Sequence, residues 1–286
     1  MVKALIFNGT GVGQTCLPRT TDALIKYNIP FATSTKINKD TLKGYNVLFL
    51  PGGDSAYKLY ITNKNINSTD IKAWIKAGGV VIATCSGAYA SVNNVDGLYR
   101  AFGFAPNTNA KVYSENGIET VQFTTQGQKV FKKGTTLKMS HEAGPALYLP
   151  PGPGKEVLAI YNTGSFKGYG AIVVDGNVGL FSPHPELNPY YPDMIVNLMN
   201  YLLKKNEGND VMGNIDTKYD YMIKKADFKL MIEGVANWMK SHSNKPPVTV
   251  YLRVNGVKSL TNYVSYAKYV EMKKKWDNFI KLNKQE

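Results

Sequence analysis

Residues 80–90, Val-Val-Ile-Ala-Thr-Cys-Ser-Gly-Ala-Tyr-Ala, constrain the fold more than any other stretch of the chain. A short apolar run rich in β-branched residues passes directly into a cysteine, then Ser-Gly, then a helix-compatible segment. This is the pattern of a strand–nucleophile–helix elbow, in which a sharp turn exposes the side chain above a helix N-terminus. A thiol placed there lies near the positive end of the helix dipole, which favours the thiolate that attacks carbonyl carbon. Such an elbow presupposes an α/β sheet on which to sit.

The rest of the first 205 residues or so supplies that sheet. Residues 3–7, 30–34 and 47–50 read as apolar strands, with residues 20–27 and 68–77 as helices between them. Ser68-Thr69-Asp70 gives the second helix a start signal and Gly78-Gly79 a stop. Strands this apolar, alternating with helices, predict a mainly parallel, doubly wound sheet covered on both faces. The loops after Phe7, Leu50 and Thr84 then share the carboxyl edge, where such sheets build their sites. The middle, roughly residues 111–174, reads as antiparallel: strands at 121–124 and 157–161, with Gly/Pro-rich turns between them. Residues 171–174 and 178–181 form a hairpin through Asp175-Gly176-Asn177. Residues 194–205 close the domain as a helix.

The second strand of that hairpin leads into Ser182-Pro183-His184-Pro185-Glu186, about 100 residues after the elbow. Acyl transfer needs a nucleophile, a base and donors for the developing oxyanion. Cys85 fits the first role, His184 the second, and Glu186 would orient the imidazole. The backbone N–H groups of Ser86 and Gly53 are the candidate oxyanion donors, because a Gly52-Gly53 loop lets a backbone amide approach a substrate closely. Gly52, Asp54, Tyr89, Asn8 and Gly9 are the candidate pocket residues. Singly, a cysteine after an apolar strand reads as core and a His-Pro-Glu as an ordinary loop; their joint occurrence with Pro51-Gly52-Gly53-Asp54 favours catalysis. His141, in Ser140-His141-Glu142, reads as a surface histidine.

No cofactor is expected. The loop Asn8-Gly9-Thr10-Gly11-Val12-Gly13 lacks both the third-glycine spacing of a dinucleotide site and the Gly-Lys-Ser/Thr ending of a phosphate loop. With three histidines and no clustered Cys/His spacing, no metal ligand set is predicted. The two cysteines, Cys16 and Cys85, leave a single disulfide as the plain alternative to free thiols. A chain of 286 residues has little need of one, and Cys16 reads as a buried thiol in the loop after the first strand.

At 43% hydrophobic the chain can bury a full core, and no apolar run approaches the ~20 residues that span a bilayer. Its start reads as a strand rather than a signal peptide. The chain is therefore read as cytoplasmic or, if a leader has been removed, as extracellular. The net charge of +13 is concentrated beyond Lys218, where Lys224, Lys225, Lys229, Lys240, Lys245, Arg253 and the Lys273-Lys274-Lys275 run lie. A basic tail suits an anionic partner such as nucleic acid, acidic polysaccharide or a membrane surface, and suits a merely solvated face equally. The polar break at Glu207-Gly208-Asn209-Asp210 gives the domain plan: 1–206, a linker at 207–225, and a small, mainly helical basic module at 226–286. That module reads as a helix at 228–239, a short strand after Pro246-Pro247, and a helix at 263–282.

Phe7-Asn8-Gly9-Thr10-Gly11-Val12, Leu50-Pro51-Gly52-Gly53-Asp54, Thr84-Cys85-Ser86-Gly87-Ala88-Tyr89 and Ser182-Pro183-His184-Pro185-Glu186 together resemble the class I glutamine amidotransferase-like superfamily. Within it, the likeness is greatest to the amino-terminal domain of some biotin–protein ligases. The resemblance covers residues 2–205 and implies a flavodoxin-like sheet with a Cys85-His184-Glu186 triad. Two positions depart from the pattern. Glutamine-hydrolysing members usually carry glutamine where this chain has Tyr89, and relatives of the ThiJ/PfpI type carry histidine where it has Ser86. The chain also lacks a ligase's biotinyl-adenylate loop, so biotinylation is not implied. Val235-Ala236-Asn237-Trp238, Asn244-Lys245-Pro246-Pro247 and Tyr263-Val264-Ser265-Tyr266 resemble pseudomurein-binding repeats of archaeal surface proteins, which implies an anionic cell-wall glycan as the tail's partner. The expected function is a cysteine-dependent amide hydrolase or amidotransferase-like enzyme acting on a small-molecule or peptide amide of the cell envelope. The alternative is a binding protein that keeps the pocket without turnover.

Overall fold

The computed structural model describes residues 2–53, 57–150, 152, 154–213, 225–241, 249–254, 257–265, 270 and 273. The chain divides into two compact units, Met1–Lys204 and Lys205–Glu286.

In the first unit the elements begin β1 (Ala4–Phe7), α1 (Cys16–Lys26), β2 (Phe31–Ser34), β3 (Val47–Leu50), α2 (Tyr57–Ile61), α3 (Ser68–Lys76), β4 (Val80–Thr84) and α4 (Ser86–Ser91). An antiparallel extension follows: β5 (Asn94–Val95), β6 (Tyr99–Arg100), β7 (Asn109–Lys111), β8 (Asn116–Phe123), α5 (Thr125–Phe131), β9 (Thr136–Glu142), β10 (Ala146–Tyr148) and β11 (Lys155–Tyr161). The chain then returns through the hairpin β12 (Gly170–Asp175) and β13 (Val178–Phe181) to α6 (Pro192–Gly213).

The central strands run β2-β1-β3-β4-β13, all parallel. This is the flavodoxin-like order, and the predicted doubly wound α/β sheet is present. The antiparallel strands continue the same sheet from β13 through β12. β1, β3, β4 and β13 are buried at every position, as their unbroken apolar sequences require of strands covered on both faces. One core layer gathers Ile6, Phe49 and Ile82 with Leu198 and Leu202 of α6; the other gathers Leu5, Leu48 and Val81 with Tyr60 and Tyr89. Alternate residues of each strand thus feed opposite faces.

Local starts differ in two places. α1 begins at Cys16, four residues before the helix read from sequence, because Pro18 falls in its first turn, where no intrahelical N–H is required. α3 is capped by Asn67, whose side chain accepts the Asp70 N–H, rather than by Ser68.

The second unit holds α7 (Lys225–Ser241), which lies against β14 (Thr249–Val254), paired antiparallel with β15 (Val257–Ser265). Tyr263-Val264-Ser265 therefore ends a strand, where the sequence reading began a helix; the β-branched run Val248-Thr249-Val250 through Val257 favours the hairpin. Asn244-Lys245-Pro246-Pro247 and most of residues 266–286 lie outside the described residues. No helix among the described residues is long and apolar enough to cross a membrane.

The elbow helix α4 lies close against β3. A Cβ on Gly87 would stand 2.1 Å from the Leu50 carbonyl oxygen, an approach open only to glycine. Gly87→Ala is therefore expected to lose about 1–3 kcal/mol through overpacking, despite alanine's better helix propensity. Gly134→Ala, where the added methyl meets nothing within 4 Å, serves as the control and should leave stability unchanged or slightly raised. Thermal unfolding followed by circular dichroism separates the two; equal melting temperatures would remove the packing argument.

Candidate functional site

Register brings the site together. β4 and β13 pair with Thr84 opposite Phe181, and β3 pairs with β4 so that Leu50 stands opposite Ala83. The strands thus end level, and the residues just beyond them meet at the carboxyl edge. The Cys85 N–H donates to the Phe181 carbonyl at 2.9 Å, so the cysteine is fastened to the strand that leads to His184.

Cys85 has φ 49° and ψ −111°. A left-handed φ in a non-glycine residue costs about 1–3 kcal/mol and is kept only where the surroundings impose it. Here β4 ends and α4 begins with no residue between them except Cys85, so the reversal falls on it alone. The elbow read from sequence is present in the backbone.

His184 lies between Pro183 and Pro185, and each proline restricts both its own φ and the residue before it. The His184 N–H donates to the Ser140 carbonyl at 2.8 Å, an isolated antiparallel bridge that ties this loop to β9. Its Nδ1 pairs with Glu186 Oε1 at 2.8 Å, with side chains 2% and 0% exposed. Burial alone would push the imidazole down, but the Glu186 carboxylate and then the Cys85 thiol outweigh it, and His184 titrates well above its ordinary value. Two atoms of the pair, His184 Nε2 and Glu186 Oε2, are buried without a hydrogen bond. The Cys85 thiol donates to the Glu142 carbonyl at 3.4 Å.

A cavity of about 640 Å³ opens at this edge, lined by Cys85 and His184 together with Gly53, Ser86 and Tyr89. Ser86 Oγ donates to the Gly53 carbonyl at 3.2 Å, which holds the two oxyanion candidates side by side. Tyr89 stacks on Tyr57 with ring centroids 4.6 Å apart, and its hydroxyl accepts the Tyr113 N–H at 3.0 Å. That pair forms one wall, and an offset stack of this kind adds about 0.5–1.5 kcal/mol beyond its burial. The far wall comes from the antiparallel extension: Ser114, Asn116, Ser140 and Glu142.

Several expectations change. Asn8 and Gly9 do not line the cavity. The Asn8 N–H continues the ladder to Ser34 of β2 at 2.8 Å, and Gly9 packs on the Phe7 ring, which holds this half of the loop over β2. Gly52 lies beneath the cavity rather than in its wall: a Cβ there would stand 2.7 Å from His184 Cε1 and 2.9 Å from Cys16 Sγ. Asp54 lies outside the described residues. His141 is fully buried rather than on the surface. Its ring nitrogens face the Glu115 and Gly144 carbonyls at 2.9 and 3.2 Å, its ring lies 4.2 Å from that of Tyr113, and burial pushes its pKa down. It supports the wall from behind.

Cys16 is a buried thiol, as read from sequence, but it opens α1 rather than lying in a loop, and its sulfur stands 4.0 Å from His184 Nδ1. Both cysteines are free thiols. Burial raises the Cys16 pKa, partly opposed by the His184 contact. The signal that could have found it was the compatibility of Pro18 with a helix's first turn.

No curated protein matches the chain. Residues 2–101 match the family described as "Biotin-protein ligase, N terminal". Among solved structures, a glutamine amidotransferase is 20% identical with a TM-score of 0.50, covering 69% of this chain and 98% of that one. A protein assigned as a GMP synthase component from Thermoplasma acidophilum is 14% identical at a TM-score of 0.54, covering 73% and 98%. PurLQS from Thermotoga maritima is 17% identical at 0.53, covering 70% and 99%. The chain therefore shares its fold with these solved structures, a glutamine amidotransferase among them.

Proposed function

We propose that the first unit is a cysteine-dependent amide hydrolase, with Cys85 as nucleophile, His184 as base and Glu186 as its orienting carboxylate. The observation that carries this reading is the strained Cys85, buried yet lining a cavity that also presents an imidazole paired to a buried carboxylate. In the reaction the Cys85 sulfur turns from the Glu142 carbonyl towards His184 Nε2, which has no other partner. The thiol proton is given to the imidazole before attack, and the imidazolium that Glu186 stabilises stands beside the thiolate, which then attacks the amide carbon. The developing oxyanion is held by backbone N–H groups of Ser86 and Gly53. His184 then gives its proton to the departing amine, and water cleaves the thioester by the same route. Glu186 fixes Nδ1 as the protonated nitrogen, so that Nε2 faces the thiol.

The substrate class we favour is a small-molecule or peptide amide of the cell envelope, reached through the basic tail as an anchor on an anionic wall glycan. The tail's charge supports this part of the proposal. A second reading, a binding protein without turnover, is favoured by the thiol's bond to the Glu142 carbonyl and by Tyr89 at the elbow helix.

Three outcomes are expected. Iodoacetamide should modify Cys85 at neutral pH at least about tenfold faster than a peptide thiol, and Glu186→Gln should slow it, with peptide mass mapping to separate Cys85 from Cys16. A rate equal to the peptide thiol's would leave only the binding reading. The stability contributed by the His184–Glu186 pair should be complete below the ordinary imidazole pKa of about 6.5 and fade as pH rises through the raised folded value. The difference in unfolding free energy between the wild type and Glu186→Gln should therefore be constant below about pH 6 and shrink as pH rises beyond about 6.5. A difference constant with pH would mean the imidazole is not held charged. Finally, the full chain should be retained on immobilised polygalacturonate at low salt and released as salt rises, whereas residues 1–206 should not be; equal retention would remove the tail's anchoring role.

A further inference from the structure

Cys16 has no part in the reaction proposed above, yet it stands against that reaction's base. It comes from the N-terminus of α1, while His184 and Glu186 come from the loop after β13. Its Sγ, the His184 Nδ1 and a Glu186 carboxylate oxygen nevertheless all lie within 4.8 Å of one another. The three residues are 5%, 2% and 0% exposed. Only a glycine at position 52 permits the arrangement, since a Cβ there would meet both the thiol sulfur and the imidazole. A second observation points the same way: Glu186 Oε2 is buried with no hydrogen-bond partner, a costly state for a carboxylate oxygen that has no second role.

We propose that Cys16, His184 and Glu186 form a site for one thiophilic divalent cation of the zinc type. Zinc bonds of about 2.3 Å to sulfur, about 2.05 Å to nitrogen and about 2.1 Å to oxygen, set at tetrahedral angles, put sulfur about 3.6 Å from nitrogen and nitrogen about 3.4 Å from oxygen. The observed separations are 4.0 Å from Sγ to Nδ1 and 2.8 Å from Nδ1 to Oε1. Sulfur and nitrogen would close by about 0.4 Å and nitrogen and oxygen open by about 0.6 Å, while the carboxylate oxygen, which lies within 4.8 Å of the sulfur, would close towards the roughly 3.6 Å of the same geometry. The mixture of thiolate, imidazole and carboxylate selects zinc or cobalt over magnesium and calcium, which take oxygen ligands alone. Cys16 and His184 both line the cavity, which gives an ion its approach to the site. Binding displaces the Cys16 thiol proton and, from the imidazolium, the Nδ1 proton, which leaves a neutral ring with its single proton on Nε2.

The arrangement has a consequence for the nucleophile, and this part rests on the function proposed above. A metal on Nδ1 takes the nitrogen that Glu186 now holds and leaves the remaining imidazole proton on Nε2. Such a ring accepts no proton from Cys85. The same His-Glu pair thus serves either the nucleophile or the ion, and the bound ion is an off-state.

Titration of the intact, reduced chain with Co²⁺ tests the site without any substrate. One equivalent should bind with the near-ultraviolet thiolate-to-cobalt charge-transfer absorption, and Zn²⁺ should displace it. The absorption should vanish in Cys16→Ser and in Cys16→Ala, persist in Cys85→Ser, and need at least about tenfold more cobalt in Glu186→Gln. Circular dichroism identifies any variant that fails to fold, and the two Cys16 variants back each other. Absence of the band in the wild type, or its loss in Cys85→Ser with survival in Cys16→Ser, would overturn the site. In the second arm, Zn²⁺ should slow alkylation of Cys85 in the wild type and not in Cys16→Ser. Cobalt binding without that slowing keeps the site and overturns its coupling to the nucleophile, so the two claims fail separately.

Discussion

The parallel ladder between β4 and β13 is the constraint on which the site depends. With Thr84 opposite Phe181, the cysteine and the histidine leave the sheet at the same level, although nearly 100 residues separate them. A slip of one residue would turn the side chains of either strand to the wrong face and carry one group away from the other. Strands buried on both faces carry no polar face to forbid the slip, so the register is held by the fit of particular side chains into the two core layers and by the bond from the Cys85 N–H to Phe181. Core packing and site geometry are here the same requirement.

The buried His184–Glu186 pair draws on that rigidity. Removing two ionisable groups from water is costly, and their mutual attraction compensates only when the geometry is held. The holding is done by the flanking prolines, by the bond from the His184 N–H to Ser140, and by the close approach of the Gly52 backbone to the ring. Removing one partner of such a pair leaves an uncompensated buried charge, a loss of about 3–5 kcal/mol in comparable cases. The pair is thus a feature that stability alone does not favour, which is one physical reason to look for chemistry at this edge.

Much of this was legible in the sequence, and for identifiable reasons. The apolar strands, the elbow at Cys85 and the hairpin through Gly176 follow from periodicity and turn chemistry, which are local. Gly53, Ser86 and Tyr89 fall at the cavity because they sit beside motifs whose edge of the sheet was already determined. What remained hidden is what depends on tertiary contact. Asn8 and Gly9 share a loop with site-forming residues but turn towards β2, a choice made by pairing with Ser34 that no local pattern records. His141 looked like a surface residue because its neighbours are polar, yet aromatic rings from separate segments enclose it. Cys16 was obscured by Pro18, which hides a helix start from any reading that treats proline as a break. In the second unit, Tyr263 to Ser265 went to a strand because its partner is β14, a decision taken by pairing rather than propensity.

The bond from the Ser140 carbonyl to the His184 backbone has a mechanical meaning. The ribbon of β8 and β9 is linked to the loop that bears the imidazole through Ser140, and to the sulfur through the Glu142 carbonyl. A cavity occupant that leans on Asn116 or Glu142 therefore touches the element to which both reacting groups are tied. The wall is thus a common footing for the two ends of the gap that a proton has to cross.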